Sequence, residues 1–260
     1  MDARPLYIAN WKMNLTEPEV TTYLNKFKPL VFETQGRAVV IAPGFASLKT
    51  ATILTERARV YIGAQDVSSE ESGAFTGEVS AKMLASVGCR FALVGHSERR
   101  RRFGEAGDLI SRKMRAAMAT RLIPVLCVGE TAEERGAGTA LEVVERQLRE
   151  GLAGVEVRDE AIADVAYEPV WAIGTGDHAT PEQAEEMHRH IRSVLESLYP
   201  GSVGAGIRIL YGGSVTPENV ASLMAQPTVN GVLVGGASLD PEKFAAICNH
   251  PDPGAGPPEA

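Results

Sequence analysis

Cysteine is scarce in this chain: Cys89, Cys127 and Cys248 are the only three, odd in number and far apart. That excludes a disulfide framework and a CxxC metal site, and leaves buried, reduced thiols as the expected state. Positive charge is also in short supply. With 26 Lys and Arg against 33 Asp and Glu, the net charge of -7 excludes a general electrostatic footprint for nucleic acid or an anionic membrane. Any anionic ligand must therefore be met by local groups. No long apolar run precedes Asn10, so neither a signal peptide nor a membrane span is expected, and the cytoplasm is the simplest location. Metal-ligand spacing is missing too: His188 and His190 are two apart on a predicted helix and cannot share a face, while His178 and His250 fall in polar loops. No metal is expected.

What the chain does have is a recurrent pattern of short Val- and Ile-rich runs. They cover Leu6 to Ala9, Val39 to Ala42, Val60 to Ala64, Phe91 to Val94, Pro124 to Val128, Ile162 to Tyr167, Ile207 to Tyr211 and Gly231 to Val234, which makes eight predicted strands. Helical signals lie between them. Thr16-Glu-Pro-Glu19 has the form of a capping box with proline in the first turn, Asp108 to Thr120 mixes core and surface faces, and Thr180-Pro-Glu-Gln183 and Thr216-Pro-Glu-Asn219 resemble two further helix starts. Near-continuous apolar strands alternating with amphipathic helices imply an α/β protein with a parallel sheet buried on both sides, and eight such units close a (β/α)8 barrel. A single barrel domain over 1–250 is expected, with the tail 251–260, which has no apolar face, disordered. The runner-up is a doubly wound open sheet, but that fold carries GxGxxG after its first strand, where this chain has Asn10-Trp-Lys-Met-Asn14.

The chemistry-bearing residues follow the predicted strands. Asn10 and Lys12 follow the first, His96 the fourth, Glu168 the sixth, Ser214 the seventh, and Gly235 and Gly236 the eighth, so all meet at one barrel mouth, where such folds place their active sites. Glu168 stands before proline, which holds its backbone extended, and before a Gly-rich stretch, Ala172-Ile-Gly-Thr-Gly176, able to close over a ligand. Tyr211-Gly-Gly-Ser214 and Val234-Gly-Gly-Ala237 offer backbone N–H groups and a hydroxyl to an anion. His96 precedes a predicted helical turn starting near Ser97, and a helix N-terminus disfavours imidazolium, so a neutral imidazole able to donate a hydrogen bond is expected. A carboxylate base, a neutral histidine, a lysine and an anion cradle suit proton transfer beside a carbonyl on a small phosphorylated molecule. That chemistry needs no cofactor. Schiff-base chemistry, as in an aldolase, fits less well, since it wants a desolvated lysine; a silent scaffold barrel has no reason to keep Lys12, His96 and Glu168 together. The run Arg99 to Arg102 is expected to pair with Glu98, Glu105 or Asp108 rather than to bind RNA.

In order along the chain stand Asn10-Trp-Lys-Met-Asn14, Gly63-Ala-Gln65, Gly73-Ala-Phe-Thr-Gly-Glu78, Gly95-His-Ser-Glu-Arg-Arg100, Ala166-Tyr-Glu-Pro-Val-Trp-Ala-Ile-Gly-Thr-Gly176 and Tyr211-Gly-Gly-Ser214. From roughly Pro5 to Cys248 the chain resembles the triosephosphate isomerase family, itself the standard illustration of a carboxylate base, a neutral histidine and a closing loop working together. The resemblance implies that Glu168 moves a carbon-bound proton between neighbouring carbons of dihydroxyacetone phosphate and glyceraldehyde 3-phosphate through an enediolate. It also implies that His96 polarises the oxygens, Lys12 stabilises negative charge and Asn10 orients the substrate. Gly174, Ser214, Gly235 and Gly236 would hold phosphate, Glu98 and Cys127 would support the site, and Pro169 to Gly176 would form a lid that protects the enediolate. A homodimer is implied as well, with the loop around Thr76, tipped by Phe75, reaching a partner's Asn10 and Lys12. Two positions depart from the family pattern: Asp66 stands where asparagine is frequent, which bears on dimer contacts, and Asp177 where lysine often follows the lid, which bears on lid kinetics.

Overall fold

The computed structural model describes residues 4–31, 36–158, 163–172 and 179–251. Eight parallel strands, β1 (Leu6–Asn10), β2 (Ala38–Ala42), β3 (Val60–Ala64), β4 (Phe91–Val94), β5 (Ile123–Val128), β6 (Asp164–Tyr167), β7 (Ile209–Tyr211) and β8 (Gly231–Val234), pair in sequence order, and β8 returns to β1 to close the barrel. This is the TIM barrel expected from the alternation of strand and helix patterns.

The reason the strand sequences are apolar on nearly every residue is visible in how they partition. Leu6 and Ile8 of β1 pack inside the barrel with Val40, Phe91, Leu93, Val125 and Leu210, while Tyr7 and Ala9 face the helical layer with Tyr23, Leu24 and Phe27. Period-two alternation thus sends each strand's residues to two different apolar environments. The helices begin where their caps predict. In helix Glu17–Leu30 the Thr16 N–H donates to the Glu19 carboxylate at 2.7 Å, and in helix Pro181–Leu198 Thr180 and Gln183 exchange bonds of 3.0 and 3.3 Å.

The fold also corrects several expectations. The regular helix after Thr216 covers only Val220–Met224, because the chain between them forms a turn, with Asn219 Oδ1 accepting from the Thr216 N–H at 2.8 Å. His250 lies buried, not in a polar loop, with its Nε2 2.7 Å from the Tyr7 hydroxyl. His188 is wholly buried on its helix, and burial pushes its pKa down to about 4, so it is a neutral core histidine. All three cysteines are buried and free. Residues 252–260 of the tail lie outside the described residues. Among the described residues no helix is long and apolar enough to cross a membrane, and no cluster of three or more His, Cys, Asp or Glu is arranged to hold a metal.

Asp66 lies buried at the base of the 66–79 loop, bonded to Lys113 Nζ at 2.7 and 2.9 Å and to Arg99 Nε at 2.9 Å. Glu105, also buried, takes the same two cations at 2.6 Å each, so two carboxylates and two cations form one internal cluster. Within the arginine run, therefore, only Arg99 finds one of the acids named for it; Glu98 is taken by Lys12 and Asp108 by Arg112.

Candidate active site

The strand ends deliver the expected residues to one pocket of about 430 Å³, lined by Asn10, Lys12, His96, Glu168, Ser214, Gly235 and Gly236. Lys12 holds a left-handed backbone, φ 52°, which costs energy for a residue with a Cβ and persists only where its surroundings enforce it. They do so here. Asn10 Oδ1 accepts from the Lys12 N–H at 3.1 Å, and Gln65 Nε2 donates to its carbonyl at 2.7 Å. The preceding Trp11 is fully buried, its indole N–H donating to Ser238 O at 3.0 Å and so tying the β1 loop to the β8 loop. The ammonium of Lys12 ends 2.8 Å from Glu98 Oε1 and reaches the pocket half-exposed.

His96 caps helix Ser97–Phe103. The Glu98 N–H donates to His96 Nδ1 at 3.2 Å, which keeps that nitrogen unprotonated and puts the proton of the neutral ring on Nε2. That N–H is 2.9 Å from Glu168 Oε1. Glu168 is buried, and its carboxylate also accepts from the Ser97 N–H at 2.9 Å and from the Ser97 hydroxyl at 3.2 Å. Burial pushes the Glu168 pKa up, but His96, the Ser97 N–H and Lys12 outweigh it and hold the carboxyl below its ordinary range. For His96, burial works downward while the Glu168 charge and hydrogen bond work upward, and the pair in contact leaves histidine above its ordinary value. Once Glu168 turns toward a ligand, burial and Lys12 favour the neutral ring and outweigh the smaller opposing pull of Glu98. The ionised base and the neutral donor are thus two halves of one arrangement.

Two glycines give Glu168 its room. A Cβ at Gly129 would fall 1.7 Å from the Glu168 carbonyl oxygen, and one at Gly212 would fall 3.1 Å from its Cγ. Gly129, past the end of β5, is held by a reciprocal pair of bonds with the Gln147 amide at 2.8 and 3.0 Å.

The remaining predicted residues fall at different distances from the pocket. Cys127 is fully buried inside the barrel on β5, where burial holds its thiol protonated, so it underlies the site without lining it. Thr76 and Phe75 are exposed on the 66–79 loop, outside this chain's own pocket. Gly174 and Asp177 lie outside the described residues, as does the second half, 173–176, of the stretch read as a lid. Sequence reasoning missed Gly129, Glu130 and Arg135, and gave Ser97 and Gly212 no part beside Glu168. Glu130, wholly buried, accepts from the Tyr167 hydroxyl at 3.0 Å, Trp171 Nε1 at 2.8 Å and Arg135 at 2.9 Å, fixing the chain just beyond Glu168. A lone glutamate after a strand gives no sign of that role.

The sequence profile of the family described as triosephosphate isomerase matches residues 5–251. The chain belongs to the triosephosphate isomerase family. It is 49% identical over 247 residues to triosephosphate isomerase of Moorella thermoacetica, covering 95% of this chain and 98% of that one. It is likewise 49% identical over 244 residues to the enzyme of Aquifex aeolicus, covering 94% and 98%. A solved triosephosphate isomerase from Bartonella henselae superposes with a TM-score of 0.86 at 34% identity, over 95% of this chain and 98% of that one.

Proposed function

We propose that this pocket interconverts dihydroxyacetone phosphate and D-glyceraldehyde 3-phosphate, a step of glycolysis and gluconeogenesis, with Glu168, His96 and Lys12 carrying the reaction. The observation that supports the assignment best is the 2.9 Å contact between an ionised, buried carboxylate and the N–H of a histidine whose other nitrogen is already an acceptor. Glu168, released from Ser97, takes a proton from C1 of dihydroxyacetone phosphate. The C–H electron pair becomes the C1–C2 double bond, and the carbonyl oxygen becomes the enediolate oxygen. His96 Nε2–H donates to the substrate oxygens and relays the proton between them, while Lys12 faces the negative charge that develops. Return of the proton from Glu168 to C2 gives the aldehyde. The proton taken is the proton returned, so neither redox partner nor cofactor enters. Ser214, Gly235 and Gly236 hold the phosphate, Asn10 orients the substrate, and Glu98 and Cys127 support the residues in front of them. Gly235 lies beside Lys12, where a Cβ would fall 3.6 Å from Lys12 Cε, so the anion cradle and the ammonium act on one ligand. Schiff-base chemistry is disfavoured, because Lys12 is ion-paired with Glu98 rather than desolvated.

The partner proposed for the exposed Phe75 is a second copy of this chain, whose 66–79 loop would cover Met13, 98% exposed beside Lys12. The test of the reaction is isomerisation measured with purified protein in a coupled assay, with Glu168→Ala beside the wild type. Wild-type turnover collapsing by several orders of magnitude in the folded variant is the expected result, since a general base and its positioning are lost together. Comparable turnover in the variant would remove Glu168 from the mechanism.

A further inference from the structure

Behind the reacting pair lies a guanidinium with no part in the chemistry above. Arg100, on helix Ser97–Phe103, turns back under the barrel rim; its Nε donates to Gly95 O at 2.7 Å and its Nη2 to Cys127 O at 2.9 Å. Gly95 immediately precedes His96. Cys127 immediately precedes Val128, whose carbonyl accepts the Glu168 N–H at 2.7 Å. A single planar side chain thus bridges the end of β4, which carries the histidine, to the end of β5, which carries the backbone of the base. The approach is close: a Cβ at Gly95 would fall 3.1 Å from Arg100 Nη2, and Gly95 has φ 69°. Arg99, next in sequence, pairs with Asp66 and Glu105, whereas both acceptors of Arg100 are neutral carbonyls. Its charge is therefore not quenched by a contacting carboxylate, and Glu168 is among the anions that act on it from beyond Cys127.

We propose that Arg100 is a positioning residue for the isomerisation, its fork fixing the ends of β4 and β5 so that His96 and Glu168 keep their register, and its charge favouring ionised Glu168. The proposal rests on the assignment of those two residues made above. Arginine is needed because one rigid fork serves two carbonyls at set directions, which a lysine ammonium on a flexible stem cannot do. Displacements near 1 Å in such a pair lower rate far more than binding. Glu168 is faced by His96 and Ser97 from the β4 loop, by Lys12 from the β1 loop, with Glu98 held on Lys12, and by Cys127 on β5 with Arg100 behind it.

The experiment compares Arg100→Met and Arg100→Lys with wild type by steady-state kinetics across pH, with Glu168→Ala in the same assay. For Arg100→Met, kcat falls roughly ten- to hundredfold with KM within about twofold, and the acid limb of kcat/KM moves to higher pH because a cation near the base is gone. Arg100→Lys returns the acid limb toward wild type while kcat stays low. A wild-type kcat in both variants, or an unmoved acid limb in Arg100→Met, overturns the proposal. Should Arg100→Met not fold, Arg100→Lys decides: low kcat with the limb in place supports the positioning role, and wild-type kcat overturns it. Activity surviving in Glu168→Ala would instead overturn the assignment of the base, so the two failures are distinct.

Discussion

Replacing Lys113 with methionine tests the internal charge cluster directly. Lys113 is 3% exposed and its ammonium reaches Asp66 at 2.7 Å and Glu105 at 2.6 Å, with Arg99 the second cation of the cluster. Methionine fills much of the lysine stem's volume, so the loss is of charge more than of packing. With two carboxylates against two cations the cluster is neutral; the variant leaves one buried negative charge uncompensated, and Glu105 Oε2 is already without a partner. Removing one member of a buried pair costs about 3–5 kcal/mol, which for a domain of this size lowers Tm by roughly 6–20 °C. The sign of the pH dependence also follows. Burial pushes the Asp66 carboxyl above its ordinary range even with Lys113 beside it, and without Lys113 it rises further. A folded-state carboxylate pKa above the unfolded value means that the folded state binds the extra proton, so its stability relative to wild type declines as pH rises through that range. The deficit is therefore smallest in acid and largest at neutral pH. Urea unfolding at fixed protein concentration, read from the midpoint at constant slope, measures it. The double variant Lys113→Met, Asp66→Asn restores neutrality and recovers part of the loss. A deficit under about 1 kcal/mol, or a double variant no more stable than the single one, would refute the view that this cluster is held by charge balance.

The same reasoning reaches the active site and the assembly. Glu168→Gln removes the carboxylate charge, the largest influence raising His96, and leaves burial and Lys12 against the smaller pull of Glu98, so the imidazole titration followed by NMR moves to lower pH; an unchanged or higher midpoint would contradict the coupling. Sedimentation at micromolar concentration should give twice the chain mass for the proposed homodimer, and a monomeric mass would remove the partner assigned to Phe75.

How much of this could be read from the chain depended on the range of the interaction. Strands β1 to β8 were legible because apolar runs of four to six residues bounded by turn residues are local signals, and Asn10, Lys12, His96, Glu168 and Ser214 were legible because each follows such a run. The cap at His96 was also local. What escaped were pairings across many residues: Glu168 with Ser97, Lys113 with Asp66, and Tyr7 with His250 lie 71, 47 and 243 residues apart. Arg99 and Arg100 illustrate the limit. Adjacent and identical in sequence, they point into unlike surroundings, one to buried carboxylates and the other to strand-end carbonyls, and only the packing of helix Ser97–Phe103 on the barrel separates them. The burial of Asp66 escaped for a related reason, since its cationic partners lie 33 and 47 residues further along the chain.

Gly129 and Gly212 extend the account of the base beyond the groups that touch it. They flank Glu168 from β5 and β7 and contribute no side-chain atom, yet any side chain at the first would overlap the glutamate backbone and one at the second would crowd its Cγ. Transplanting this site to another eight-stranded barrel would thus require carving as well as grafting. A donor list of lysine, histidine and glutamate copied onto strand ends would leave the carboxylate no corridor in which to turn from serine to substrate, unless the neighbouring strands were stripped at the matching positions.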